Sequence, residues 1–217
     1  MSKPLQKFWD LKLKSVKKAL EGNGFTCHVV ADRDAARRLL LEELVPGIKP
    51  ESVAFGGSMT VVDSGVYQAV KDTPGLTVLD TYDLTPSPEE RIEIRRQALL
   101  TDLFITSTNA LTEDGVLVNL DGSGNRVAAL CFGPRNVVVL AGRNKIAGDA
   151  QQAMDRVKTL AAPANAIRLS KKTPCVKTGH CHDCDSPERI CSVWTLTEKS
   201  FPKGRITVIL INEDLGF

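Results

Sequence analysis

Apolar positions in residues 4–22 recur at helical spacing: Leu5, Phe8, Trp9, Leu13, Val16 and Leu20. Lys7, Lys12, Lys14, Lys17 and Lys18 fill the opposite face, so the pattern predicts an amphipathic helix capped near Gly22. Residues 25–30 read as a strand. Asp32 then caps a helix that carries Leu39, Leu40 and Leu44 and stops at Pro46 and Gly47. A short strand at 52–55 ends directly in Gly56, Gly57, Ser58, Met59 and Thr60, before a helix through Val66 and Val70. Residues 77–80 form a third strand. Ser87, Pro88 and Glu90 spell a capping box with proline at the first helical position, opening a helix to about Leu100.

The stretch 102–148 organises the rest. Residues 102–106 are an apolar run that breaks into Ser107, Thr108 and Asn109, small polar residues that bond a ligand or their own backbone. Gly115 opens VLVNL, DGSGN supplies a turn, and VAALCF is expected to return as the second arm of a hairpin. Residues 137–141 are continuously apolar, like strands buried on both faces, and run straight into Gly142, Arg143, Asn144 and Lys145. A helix over 149–162, with Ala153, Met154, Val157 and Leu160 on one face, is expected to end at Pro163. ITVILI within 205–212 closes the chain as a buried strand. Strands and helices alternate, so the fold class is α/β: a doubly wound, mostly parallel sheet with an antiparallel hairpin insertion and a cysteine-rich loop near the C-terminus. Two buried strands end in polar loops, at Ser107, Thr108 and Asn109 and at Arg143 to Lys145, and open α/β sheets bind ligands beyond such carboxyl ends.

Composition adds little to this picture. The 28 basic and 26 acidic residues leave a net charge of +2, which does not point to nucleic acid or a membrane surface. No apolar run reaches membrane-spanning length and MSKPLQKFWD lacks a signal core, so the expected location is cytoplasmic. Gly56, Gly57, Ser58 and Thr60 suit an anion cradle, since glycines let backbone approach a ligand and hydroxyls donate to it. The spacing is neither a Walker loop nor a dinucleotide fingerprint.

Four of the six cysteines crowd into PCVKTGHCHDCDSPERIC. Cys181 and Cys184 form a C-x2-C pair, with Cys175 five residues before it. Cys191 follows, and His180 and His182 could each replace a thiolate. Four converging thiolates suit zinc or an iron–sulfur cluster, and softness does not choose between them; free thiols or a redox pair are the other reading. Cys27 and Cys131 fall in strand patterns as small buried apolar residues.

GGSMT at 56–60, TSTNALTEDGVLVNLDGSGNRVA at 106–128, AGRNKIAGD at 141–149, AAPANAIRL at 161–169 and the segment 174–191 together resemble the LUD-domain family, named for lactate utilisation. The resemblance implies one domain over residues 1–217, similar in fold to ribose-5-phosphate isomerase and the CoA transferases, with the cysteine-rich segment 170–195 inserted before the last strand. It implies an accessory protein of a redox system, oxidising lactate to pyruvate beside iron–sulfur subunits, with Gly56, Gly57, Ser58 and Thr60 on an anionic small molecule. An alternative is an isomerase or transferase acting on a phosphorylated or CoA-linked substrate, with Glu113 or Asp114 as acid or base and Lys145 stabilising negative charge. A non-catalytic ligand sensor is a further alternative. Oligomeric state and partner identity are not set by the sequence.

Overall fold

Alternation of side chains along the central strands sets the architecture of the computed structural model, which describes residues 2–217. Six strands form a wholly parallel sheet: β1 (Thr26–Val30), β2 (Ser52–Phe55), β3 (Thr77–Leu79), β4 (Leu103–Ser107), β7 (Asn136–Gly142) and β10 (Ile206–Ile211). Their order is β1-β10-β7-β4-β2-β3. Phe104, Val137, Val139, Val208 and Leu210 pack on Leu13, Val16 and Leu20 of the first helix, Lys3–Gly22. Leu103, Ile105, Val138, Leu140, Ile209 and Ile211 point the other way, onto Leu39, Leu40, Val66 and Val70. Period-two alternation thus feeds two cores, and each fully buried aliphatic contributes about 1.5–3 kcal/mol relative to exposure.

A second sheet of order β8-β5-β6-β9 stands at the carboxyl edge of the first, built from β5 (Ala110–Thr112), β6 (Leu117–Asp121), β8 (Ile146–Ala147) and β9 (Val193–Thr197). β6 runs antiparallel to both β5 and β9, and β8 runs parallel to β5. Leu111 and Leu117 join the first-helix core, while Ala110, Val118 and Leu120 pack on Ala153 and Val157.

The insertion is a hairpin, but its arms are not those expected. Its arms are β5 and β6, and VAALC forms the helix Asn125–Cys131. Gly124 turns the chain at φ 82°, and the Asp121 carboxylate accepts the Val127 N–H at 3.1 Å, which holds the first turn of a segment rich in good helix formers. Cys131, expected inside a strand, therefore ends a helix and is exposed. Cys27 is buried, as expected.

Two prolines also fail to stop their helices. The helix after Asp32 continues through Pro46 and Gly47 to Ile48, and the one after Asp149 continues through Pro163 to Arg168. Each proline follows a π turn, Leu39–Leu44 or Val157–Ala161, closed by bonds from Val45 N to Leu40 O and from Ala162 N to Val157 O. Residues Glu42 and Thr159, whose carbonyls a proline ring would strike in a regular helix, lie inside these wider turns. β9, a strand missed in the sequence, leaves no apolar record because none of its five residues is fully buried. Among the described residues no helix is long and apolar enough to cross a membrane.

Gly115, between β5 and β6, has φ 84°, and a Cβ there would lie 2.8 Å from Leu20 N and 2.9 Å from Ala19 C. Gly115→Ala combines backbone strain with a clash against the first helix, so it is expected to cost more than about 1 kcal/mol. A lowered urea midpoint at unchanged slope is the readout; an unchanged midpoint would mean that the turn and the helix move apart freely.

Candidate functional site

β4 lies between β2 and β7, and the three strands end at one edge of the sheet. The loops that follow them, together with the helices Asn125–Cys131 and Ala162–Arg168, frame a cleft of about 650 Å³, well within the range of small-molecule sites. Gly57, Ser58, Ser107, Thr108, Asn109 and Lys145 all line it, so residues far apart in sequence meet here. Gly56 and Thr60 do not. Gly56 sits behind the wall, where a Cβ would come within 2.4 Å of Thr106 Oγ1 and 3.1 Å of Arg126 Cγ. The buried Thr60 hydroxyl donates to the Leu215 carbonyl at 3.2 Å.

The glycine loop is clamped by Tyr82, a residue that no local pattern singles out. Its hydroxyl accepts the Ser58 N–H at 2.8 Å and lies 3.2 Å from the Gly56 carbonyl and 3.1 Å from that of Ser58. Burial pushes the phenol up to about 12, so it stays protonated and able to donate. The backbone N–H of Ser58 is therefore committed to protein, and what the loop turns toward the cleft is chiefly its glycine backbone and hydroxyl.

Cations dominate the lining. Arg126 is 8% exposed and Lys145 3% exposed, while Arg95, Arg168, Lys171 and Arg189 stand further out. Arg126 pairs with Asp121 and donates to Asn109 Oδ1 at 2.7 Å and to the Leu120 carbonyl at 3.3 Å. Asn109 in turn accepts the Leu120 N–H at 2.8 Å, and its own carbonyl accepts from Arg156 Nη1 at 2.7 Å. Arg156 Nε reaches the Asn144 carbonyl at 2.9 Å, tying the loop after β4 to the loop after β7. Asn109 is thus a hub of the floor. The acids on the lining are Asp121, already committed to Arg126, and Glu188, which accepts the Lys172 N–H at 2.9 Å.

Lys145 Nζ donates to the main-chain oxygen of Phe217. Burial, with Arg156 and Arg126 nearby, lowers its ammonium to about 7. Glu113 and Asp114 lie in the β5–β6 turn, off the cleft: Glu113 pairs with Lys12, and Asp114 accepts from Thr112. The guanidinium floor was hidden in the sequence because Arg126 fell between an expected turn and an expected strand; a helix reading of NRVAALC would have turned it toward Asp121.

A second, smaller cavity of about 20 Å³ adjoins the first, and Cys175, Cys181, Cys184 and Cys191 all line it, with His182 and Asp183. None of the four is in a disulfide. Cys181 Sγ accepts the Asp183 N–H at 3.4 Å, and the Thr173 hydroxyl lies 3.2 Å from Cys175 Sγ. Lys158 and Arg189 both pair with Asp183, placing positive charge beside the thiols. Among the described residues no three His, Cys, Asp or Glu side chains are grouped closely enough to hold an ion as they stand. The donor set nevertheless suits a thiophilic centre, with a backbone N–H already directed at one sulfur and a hydroxyl beside another.

Gly56→Ala is expected to force β2 and β4 apart at the cleft and displace Arg126, costing about 1–3 kcal/mol as overpacking does. Gly57→Ala, where a Cβ meets nothing within 4 Å, should leave the melting temperature nearly unchanged. Equal losses in the two variants would contradict the close approach.

No curated protein matches the chain. Among solved structures, a DUF162 family protein from Deinococcus radiodurans is similar at 14% identity and a TM-score of 0.50, the match covering 94% of this chain and 98% of that one. That likeness shows a shared fold. eIF2B delta from Chaetomium thermophilum matches at 18% identity and a TM-score of 0.32, over 66% of this chain and 50% of its own, and carries no argument. The LUD domain model matches residues 13–211, nearly the whole chain, and this protein therefore belongs to the LUD-domain family.

Proposed function

We propose that this protein is a LUD-domain accessory protein of a redox system, in keeping with the family's association with lactate utilisation, and that its cleft binds an anionic small molecule. The observation that carries the reading is the charge of the cleft: six cationic side chains line it, while Asp121 is neutralised by Arg126. The Ser58 hydroxyl, whose oxygen accepts the Val61 N–H at 3.4 Å, keeps its proton to donate, whereas those of Ser107 and Thr108 already donate to the Thr108 and Ala110 carbonyls. A desolvated cation with donors around it holds an anion far better than the same groups in water. The redox part of the proposal rests on Cys175, Cys181, Cys184 and Cys191, which would hold zinc or an iron–sulfur cluster; a cluster would supply electron transfer and zinc a structural tie. Iron–sulfur redox subunits are the partners this reading calls for.

A second reading, an isomerase or transferase for a phosphorylated or CoA-linked substrate, is favoured by Lys145. An amine lowered to about 7 is equipped to exchange protons near neutral pH as well as to attract an anion. Glu113 and Asp114 take no part in this version, since they lie off the cleft.

Sulfate, whose charge is constant across the range, tests the anion reading. The Lys145 ammonium is charged below about 7 and neutral above it, so affinity should fall roughly tenfold from about pH 6 to about pH 8, the worth of one charge-assisted hydrogen bond. Calorimetric titration measures it. Lys145→Met should abolish this pH dependence without lowering the melting temperature, because it removes a desolvated charge and keeps the apolar stem. A steep pH dependence in the variant would remove Lys145 from the site. For the redox reading, protein purified without oxygen is expected to carry iron with acid-labile sulfide and absorbance near roughly 400 nm, lost in Cys181→Ser/Cys184→Ser; zinc alone would rule out electron transfer at this centre.

A further inference from the structure

The two cavities share a wall. Ala162, Arg189 and Ile190 line both, and the segment that carries the last two also carries Cys184 and Cys191. Arg189 donates from Nη1 to the Cys184 carbonyl at 2.6 Å and from Nε to the Cys191 carbonyl at 2.9 Å, so the residue that faces the anion cleft is pinned to the backbone of two cysteines. Next to Cys191, the Ser192 N–H donates to the Asp121 carbonyl at 2.8 Å, and the Asp121 carboxylate holds Arg126 on the cleft floor. Ile190 lies so close to Gly122 that a Cβ there would be 3.1 Å from its Cα. On the other side, Glu188 accepts the Lys172 N–H at 2.9 Å and the Ser186 hydroxyl donates to the Lys172 carbonyl at 3.1 Å. The floor of the cleft is therefore reached by a contact from Ser192, next to Cys191, and its rim by Arg189, which is bonded to the carbonyls of Cys184 and Cys191.

The segment is also held by ion pairs from Asp183 to Lys158 and Arg189 and by a bond between the Thr178 hydroxyl and His182. Residues 179–192 contain no helix or strand, and His180, His182, Asp183, Asp185 and Pro187 are exposed. Closing four thiols on a metal would tie this irregular run to the helix that carries Cys175, and ordering of this kind is transmitted wherever the segment is bonded.

We propose that the cysteine centre controls the anion cleft: a thiophilic metal held by Cys175, Cys181, Cys184 and Cys191 fixes the shared wall, so the metal-loaded protein binds anions more tightly than the metal-free protein. The inference rests on the anion reading of the cleft and deepens it, turning a ligand site into one whose affinity reports on metal supply. Thiol rotamers close on the metal, since the four side chains converge on one cavity without yet meeting at a point. The centre and the cleft then strengthen each other reciprocally, because coupling between two binding equilibria has no direction.

The test uses the whole chain, reduced and stripped with a chelator, then loaded in one arm with zinc and in the other, without oxygen, with iron and sulfide. Sulfate affinity is measured by calorimetry, and hydrogen exchange is followed at the Lys172 and Ser192 amides, which bond to Glu188 and Asp121. Sulfate binding about tenfold tighter in one loaded form, with both amides slowed, is the expected result. Cys181→Ser/Cys184→Ser should show neither change; should it fail to fold, stripped wild-type protein serves as the metal-free reference. Metal taken up with sulfate affinity and both amides unchanged would overturn the coupling, and failure of both arms to load would overturn the centre. Sulfate bound by no form, with both amides slowed on loading, would instead overturn the anion reading while upholding the link between loop and cleft.

Discussion

The arrangement of the site depends on holding one guanidinium in a nearly dry place. Arg126, 8% exposed, is held by Asp121 through Nε and Nη2 and by Asn109 and the Leu120 carbonyl through Nη2, so its buried charge is met by one acid and two neutral acceptors. Those three partners come from the end of β6 and from the junction between β4 and β5, so satisfying the charge aligns the small sheet with the carboxyl edge of the large one. From the other side Arg156 joins the loops after β4 and β7 through the carbonyls of Asn109 and Asn144, without an acid beside it among the described residues and with its buried Nη2 unpartnered. Breaking one such contact strands a buried charge, and the cost of that keeps the floor of the cleft in a single arrangement.

Most of the framework could be read from the chain because burial on two faces leaves a dense apolar record. Residues 137–141 and 206–211 are nearly continuous in Val, Ile and Leu, and they are the central strands. The Ser87 capping box and the Asp32 cap occur where their side chains required. What misled was local chemistry whose outcome depends on distant partners. DGSGN looks like a hairpin turn, yet Asp121 is bonded to Arg126 and Val127, and that commits the following residues to a helix. Pro46 and Pro163 read as stops because a sequence does not show a widened turn.

The candidate site was legible in part. Residues at strand ends, Gly57, Ser58, Ser107, Thr108, Asn109 and Lys145, could be found because open sheets place ligands there, and they do line one cleft. The distal cations could not, since Arg95, Arg168 and Arg189 belong to segments whose direction is fixed only by packing. Thr60 has the right chemistry but sits one helical turn too deep, spent on Leu215. Glu113 and Asp114 looked catalytic by composition and serve the turn instead. The cysteines are the opposite case, since spacing alone brought all four to one cavity.

The π turn at Val157–Ala161 has a geometric effect beyond accommodating Pro163. An extra residue in a helix rotates everything after it by about 100° relative to a regular continuation. Val157 and Ala161, at the two ends of the π turn, line the large cleft; beyond it Asn165 and Arg168 line the same cleft, Pro163 and Ala166 line the cysteine cavity, and Ala162 lines both. The far half of one helix thereby presents one side to each chamber, at an angle that the offset sets. Removing a single residue there would keep the helix but swing its far half off the thiols, so the insertion works as an angular gear between the two compartments.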